Sequence, residues 1–379
     1  MNRKTLEIVC ACAAAFAFSS NYTNHAPLLA PLMKQFGFSQ AMAGLLTTGI
    51  FLTHAGMQIP GGHLADKFGG RLVLAWALAV VCLGNIGIAY SGSYGQLLFW
   101  KVFAGLGTGT SFVAGARYLA QTIPPEGLAR AQGYYGGSVL LGSGFVIYAV
   151  PRAAAVAGWQ GAFWTTASVA VVVLLLWVLV APAPLPKNHL QVALSTLVGH
   201  SQLWLLGFVQ MASFGLVILV GSWITLLLHN QLGLIPAKAG ALGSLVLLLG
   251  ILTRPLGGML VAGMGVRPLL AASLVINMAG CLLLAGASSS LGSAVAAIVL
   301  LGVGCGLPYA ALFTRAAALF PGRAGAAMGL VNMLGIVMIL VGAPAVGKVA
   351  DLTGGFQASF VALATFNAVV LLAVAFIRD

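Results

Sequence analysis

Apolar runs of about 20 residues, long enough to cross a bilayer as helices, recur along the whole chain between short turns rich in glycine or polar residues. Twelve spans follow from this pattern: 6–33, 39–64, 71–91, 96–121, 128–150, 160–181, 200–229, 236–261, 267–286, 290–318, 325–347 and 356–377. The one long connection is 182–199, where Pro182, Pro184 and Pro186 precede Lys187, Asn188 and His189. The pattern predicts an all-α polytopic membrane protein with two six-helix halves, 1–181 and 200–379, joined by a cytoplasmic linker, 182–199.

An internal repeat supports the halving. At an offset of 196, Ala43-Gly44, Gly61-Gly62, Leu64, Gly69 and Arg71 recur as Ala239-Gly240, Gly257-Gly258, Leu260, Gly265 and Arg267. Gly105, Gly107 and Gly109 recur one residue later in register as Gly302, Gly304 and Gly306. Parallel repeats of six helices place a substrate between the halves, near the bilayer midplane.

Composition agrees. The chain is 60% apolar and 6% charged, against roughly a quarter charged in soluble domains. Its 50 glycines suit closely packed membrane helices. The net charge of +12 comes from basic residues spread singly, which argues for topology and against nucleic acid binding. With the N-terminus inside, Arg3, Lys4, Lys67, Arg71, Arg130, Lys187, Arg267, Arg323 and Arg378 face the cytoplasm. Lys34, Arg152, Lys238 and Lys348 face out, so both termini are expected in the cytoplasm. Arg3 and Lys4 before Ile8–Phe18 resemble a leader, but the apolar run continues past Asn24 to Met33, which fits an uncleaved first helix. Cys10, Cys12, Cys82, Cys281 and Cys305 lack metal-ligand spacing and read as packing residues. The acids Glu7, Asp66, Glu126, Asp351 and Asp379 all fall at span ends or in loops.

Gly62-His-Leu-Ala-Asp66-Lys67-Phe-Gly69-Gly70-Arg71, between spans two and three, resembles the signature loop of the major facilitator superfamily. The resemblance covers the whole chain and implies a twelve-helix transporter in which Gly62, Asp66, Gly69 and Arg71 help to gate the cytoplasmic side. A tight turn with topogenic charges is the plainer reading of the same residues. Lys101-Val-Phe-Ala-Gly105-Leu-Gly107 resembles the family's fourth-helix motif, with lysine in place of the usual arginine. Lys101 is then either a titrating residue or one that snorkels to the outer surface.

Arg254, in Leu252-Thr-Arg-Pro-Leu-Gly-Gly, is the strongest site candidate, because a charge inside a membrane helix is costly and its planar fork suits carboxylate or nitrate-like oxygens. The plainer reading is an arginine reaching the cytoplasmic interface. Anion-carrying members of the superfamily, notably nitrate/nitrite porters and monocarboxylate or oxalate carriers, place an arginine in this helix. Gly109-Thr-Ser-Phe-Val-Ala-Gly115 and Gly133–Pro151 also resemble the nitrate/nitrite porters. Two departures stand out. Gln58 occupies the repeat position of Arg254, where those porters carry a second arginine, and their Gly-Asn signatures are missing: Gly136-Gly137-Ser138 has no asparagine, and Asn332 stands within Gly329-Leu-Val-Asn332-Met-Leu-Gly335. A single cation suits a monovalent anion.

The polar run Asn21-Tyr22-Thr23-Asn24-His25 in span one resembles the first-helix pattern of organic-anion carriers. Asn21, Asn24 and His25 either face a cavity or bond between helices. His25, His54 and Lys101 are the candidates for proton coupling, with satisfied interhelical histidines as the plainer reading. Arg117 and Arg315 precede Pro124 and Pro321 and read as snorkelling or gate residues; Trp223 and Tyr309 are weaker candidates for lining a cavity.

The expected function is a secondary transporter of a small anion, as an exchanger or proton-linked symporter in the cytoplasmic (inner) membrane. The alternative is a proton-coupled efflux pump for drugs or other small organic molecules. That class predicts a glycine-proline motif in span five, where Gly142-Ser-Gly144 has no proline, and a cationic drug would want a buried acid. No nucleophile elbow, phosphate loop or metal-ligand cluster points to an enzyme. Neither cofactor nor metal is expected, and a monomer in lipid is the expected state.

Overall fold

The computed structural model describes residues 3–182, 195–286, 290–320 and 324–378. The linker residues 183–194, with Pro184, Pro186, Lys187, Asn188 and His189, lie outside the described residues, as do Pro321, Arg323 and Asp379. Every regular element among the described residues is helical. We number the spans α1 to α12. α1 comprises Arg3–Thr23, a 3-10 turn Ala26–Leu28 and Leu29–Phe36; α2 comprises Gln40–Gly56 and Gln58–Phe68. α3 is Gly70–Ala89 and α4 is Tyr94–Thr122; α5 and α6 run through Pro125–Val180 with an interruption at Ala157 and Gly158. α7 comprises Ser201–Gln210, a π-turn Met211–Gly215 and Leu216–Leu232, preceded by a short helix Ser195–Val198. α8 is Pro236–Met264, α9 Val266–Ala285, α10 Leu291–Gly306 with Pro308–Leu319, α11 Ala324–Thr353 and α12 Gln357–Val374.

Nine stretches among the described residues cross the threshold of length and hydropathy for a membrane span as unbroken helices. α2 falls short because its break at Met57 leaves pieces of 17 and 11 residues, and α5 and α6 register together. The expected end of span five at 150 needs correction. Pro151 lies inside the helix, which runs on to Gly158 at φ 69. A proline removes one N–H, whereas a left-handed glycine redirects the chain.

The chain forms two compact units: Met1–Phe38 with Leu45–His189, and Ser39–Gly44 with Leu190–Asp379. Each unit repeats the other's packing at the offset seen in the sequence. In the first, a Cβ on Gly61 would press on Thr110 and one on Gly62 on Val113; in the second, Gly257 meets Leu307 and Gly258 meets Ala310. Gly84 against Ala104 recurs as Gly280 against Leu301. At the start of the third helix of each unit, Arg71 donates to the carbonyls of Ala181 (2.7 Å) and Val178 (2.8 Å), and Arg267 donates to the Ile377 carbonyl. These arginines satisfy orphan carbonyls at helix C-termini, where a cation is favoured.

The turns carry the same register. Among the described residues, positive φ occurs at Gly37, Gly69 and Gly158, and at Gly233, Gly265 and Gly354, each 196 residues on from its counterpart. Only glycine adopts this conformation without a Cβ penalty.

The interrupted helices have local causes. In α10, Pro308 has no N–H for the Gly304 carbonyl, and Ser273 of α9 donates to that oxygen instead (2.8 Å). In α7 the π-turn is held by Asn277 of α9, whose amide donates to the Ala212 carbonyl (2.9 Å). Such single π-turns inside α-helices concentrate at functional sites.

Candidate functional site

The first unit holds a buried amide network around one ammonium. Lys101, in α4, is 1% exposed, so it does not snorkel. Its Nζ donates to the Asn21 carbonyl (2.9 Å) and to Asn24 Oδ1 (2.6 Å). Asn24 donates to Asn85 Oδ1 (2.9 Å), Asn85 donates to Asn21 Oδ1, and Thr166 donates to Asn85 Oδ1 (2.9 Å). Four helices, α1, α3, α4 and α6, are thereby tied at one level. Arg3–Thr23 ends two residues past Asn21, so the ammonium sits at the negative end of that helix's dipole. Helix dipole and amide oxygens thus do here what a carboxylate would do elsewhere.

Two buried histidines of this unit, His25 and His54, are tied to threonines. His25 Nε2 lies 2.9 Å from Thr47 Oγ1, and His54 Nδ1 lies 3.2 Å from Thr108 Oγ1. His54 is ringed by Tyr22 (5.3 Å), Phe51 (5.7 Å) and Phe112 (6.0 Å). Gln58 turns back to donate to the His54 carbonyl (3.1 Å).

The second unit presents a different chemistry at the repeat position of Gln58. Arg254, on α8, is 9% exposed, and its guanidinium carbon lies 3.9 Å over the Tyr309 ring of α10. Tyr309 in turn packs edge-on against Phe313 at 4.6 Å. The helices meet closely on either side of Arg254: Thr253 donates to the Gly302 carbonyl (3.3 Å), and Gly257 has room for no Cβ against Leu307. A planar cation on an aromatic face is held there by stacking. Asn332 accepts from Gln210 (3.3 Å), just before the π-turn. Trp223 is buried with its indole N–H unpaired and its ring 5.5 Å from Phe356, apart from these groups in the contacts it makes.

The sequence signature of the Major Facilitator Superfamily matches residues 11–234 and again 203–379. The chain belongs to the Major Facilitator Superfamily. It is similar to the probable nitrate transporter NarT of Staphylococcus epidermidis, at 24% identity over 83% of this chain and 81% of that protein. It is also similar to the probable nitrate/nitrite transporter NarK2 of Mycobacterium tuberculosis, at 28% identity over 82% of this chain and 80% of that protein. A shorter match, 32% identical over 35% of the chain and 26% of the relative, is to probable anion transporter 6, chloroplastic, of Arabidopsis thaliana. In fold it resembles a bacterial homologue of the human lysosomal transporter Spinster, solved in an inward-facing and occupied conformation, with TM-score 0.78 and 17% identity over 98% of this chain and 96% of that one. The protein is therefore a multi-pass membrane protein of a transporter family.

Of the superfamily's signature loop, Gly69 forms the turn at φ 86 and Arg71 caps α6. The side chain of Asp66 lies outside the described residues. Arg117 and Arg315 are half-buried. Sequence reasoning missed Asn85, Thr166 and Asn277, single polar residues in apolar runs whose roles come from distant partners. Glu7 stands near the start of α1, at the end of the span as expected. Glu7 is 3% exposed inside α1 and accepts from Arg3 (3.1 Å), the one salt bridge among the described residues.

Proposed function

We propose that this superfamily member is a secondary transporter that carries a small monovalent anion, nitrate- or nitrite-like or a small carboxylate, across the cytoplasmic membrane by alternating access. The observation that carries this reading is Arg254: a guanidinium more than nine-tenths buried in a membrane helix and stacked on Tyr309. Burying such a charge is costly and usually marks a substrate path. The charge of the solute is assigned to Arg254. One cation selects one negative charge. The names of the NarT and NarK2 relatives support an anion.

The acids of the chain lie at span ends and in loops or, for Glu7, in a pair with Arg3, so no carboxylate is assigned to proton relay. The transport mode is then anion exchange, or symport of a weak acid with its own proton. Gly62, Asp66, Gly69, Arg71, Arg117 and Arg315 are assigned to the cytoplasmic gate, and both termini to the cytoplasm. The test is counterflow in proteoliposomes preloaded with nitrate, nitrite or formate. Accelerated uptake of the labelled ion in trans is expected with at least one of them. No exchange with any, alongside uptake of organic cations, would transfer the protein to the efflux class.

A further inference from the structure

Within the first unit, a groove of about 480 Å³ lies open between α3 and α4, near the turn that joins them. Its floor follows from Gly87. A Cβ there would collide with the Trp100 ring, so the glycine lets the indole lie directly against the α3 backbone. Phe99 and Phe103 pack edge-on against Trp100, at 5.1 and 5.5 Å, and line the groove beside it. Leu83 stands at one end, and Tyr90 and Gln96 at the other. Seven residues separate Leu83 from Tyr90, about 10 Å of helix at 1.5 Å per residue.

The polar end is held in place. Tyr90 packs edge-on against Trp164 of α6 at 5.5 Å. Gln96 Oε1 accepts from the Gly92 N–H (2.7 Å), and the Gln96 N–H donates to Ser93 Oγ (3.3 Å). A tyrosine at a span end sits at headgroup depth. The groove therefore runs from the interface into hydrocarbon, polar at its mouth and aromatic below.

That gradient selects the occupant. α3 and α4 are both spans, so the open side meets lipid, and an apolar pocket does not hold water. None of the eight lining residues is charged, so an ionised group finds no counter-charge inside. A second copy of the chain would need some 20–30 residues a side for a stable interface. A lipid tail is as apolar as leucine, so polarity alone does not retain it here. Shape does: concave, pre-formed aromatic walls give one chain more atom contacts than a flat helix face.

We infer that the Gly87–Trp100 groove is a resident-lipid site, which holds the headgroup half of one phospholipid tail with its ester end at Tyr90 and Gln96. The leaflet is the one at the 90–93 turn, the outer leaflet in the topology proposed above. The assignment is independent of the solute carried.

The test reconstitutes the full-length protein in phosphatidylcholine brominated on the headgroup half of one chain, because bromine quenches an indole it touches. The emission of Trp100, and of Trp76, exposed on α3 outside the groove, is read by difference from Trp100→Phe and Trp76→Phe. After fusion with an excess of unbrominated vesicles, Trp100 should recover at least about tenfold more slowly than Trp76, since retention appears in the off-rate. Native mass spectrometry should find a single retained phospholipid. Gly87→Leu, which fills the floor, should bring the two recoveries together; Phe99→Ala, which lowers one exposed wall without touching the helix contact, should shorten the Trp100 recovery. Equal recovery in the wild-type protein means annular lipid only and overturns the site. Slow recovery unchanged by both variants places the retained lipid elsewhere and overturns it as well. A retained mass equal to a second chain, lost in Phe99→Ala, gives the groove to another copy instead.

Discussion

Arg254→Ala removes a guanidinium that is 9% exposed and lies 3.9 Å over Tyr309. A cation at the centre of a membrane helix costs about 2.5–3.5 kcal/mol on insertion scales. Losing the stack on the ring costs about 0.5–2 kcal/mol. These two contributions differ by about 0.5–3 kcal/mol in the variant's favour, so removing the charge together with its stack should not by itself lower the melting point of the ligand-free protein. The bound anion, by contrast, loses a forked pair of charge-assisted hydrogen bonds at about 1.5–3 kcal/mol each, or 10²- to 10⁴-fold in affinity. Stability and binding therefore move apart. Differential scanning fluorimetry with a nitrate, nitrite and formate titration reads both quantities, and counterflow reads transport. Arg254→Lys keeps the charge but not the fork and should fall between. Wild-type exchange by Arg254→Ala, or a variant that melts several degrees lower yet keeps its anion-dependent shift, would make the arginine structural and refute the argument.

Gly257→Ala should lower stability by about 1–3 kcal/mol through overpacking, since its Cβ collides with the Leu307 carbonyl, whereas Gly263→Ala, with open space around it, should melt like wild type or slightly higher. Asn85→Leu leaves Asn24, Asn21 and Thr166 each short of a partner and should cost about 1–3 kcal/mol per group stranded, read as a lower midpoint in thermal unfolding. Arg267→Ala uncovers the Ile377 carbonyl at the end of α12 and should cost about 1 kcal/mol while transport in proteoliposomes persists.

Span positions were legible because length and hydropathy alone decide whether a helix crosses a bilayer. α8 and α12 were located within a few residues on that basis. The repeat was legible wherever a glycine is required by contact or by positive φ, as at Gly61, Gly257, Gly69 and Gly265. Arg254 was legible as an isolated cost. The amide network was not. Asn24 and Asn85 are 61 residues apart, and nothing local to either shows that they meet. Lys101 left two readings open because its distance from the surface along the helix permits both; its fully buried partners decide between them. The end of span five was less legible: Pro151 stands inside the helix, and the change of direction comes at Gly158. The bonds of Asp351 were not legible either, because the Gln40 and Ala41 N–H groups it accepts from lie about 310 positions earlier in the chain.

The six left-handed glycines set rod lengths as well as turns. α8 has 29 residues, and α2, from Gln40 to Phe68, spans the same number. At 1.5 Å per residue each reaches about 43 Å, well beyond a hydrocarbon slab of about 30 Å. Both must lean or protrude, and by like amounts. A thicker or thinner bilayer therefore meets the same mismatch on either half and changes the lean of the whole molecule. Lipid chain length should alter how the protein sits far more than which conformation it prefers.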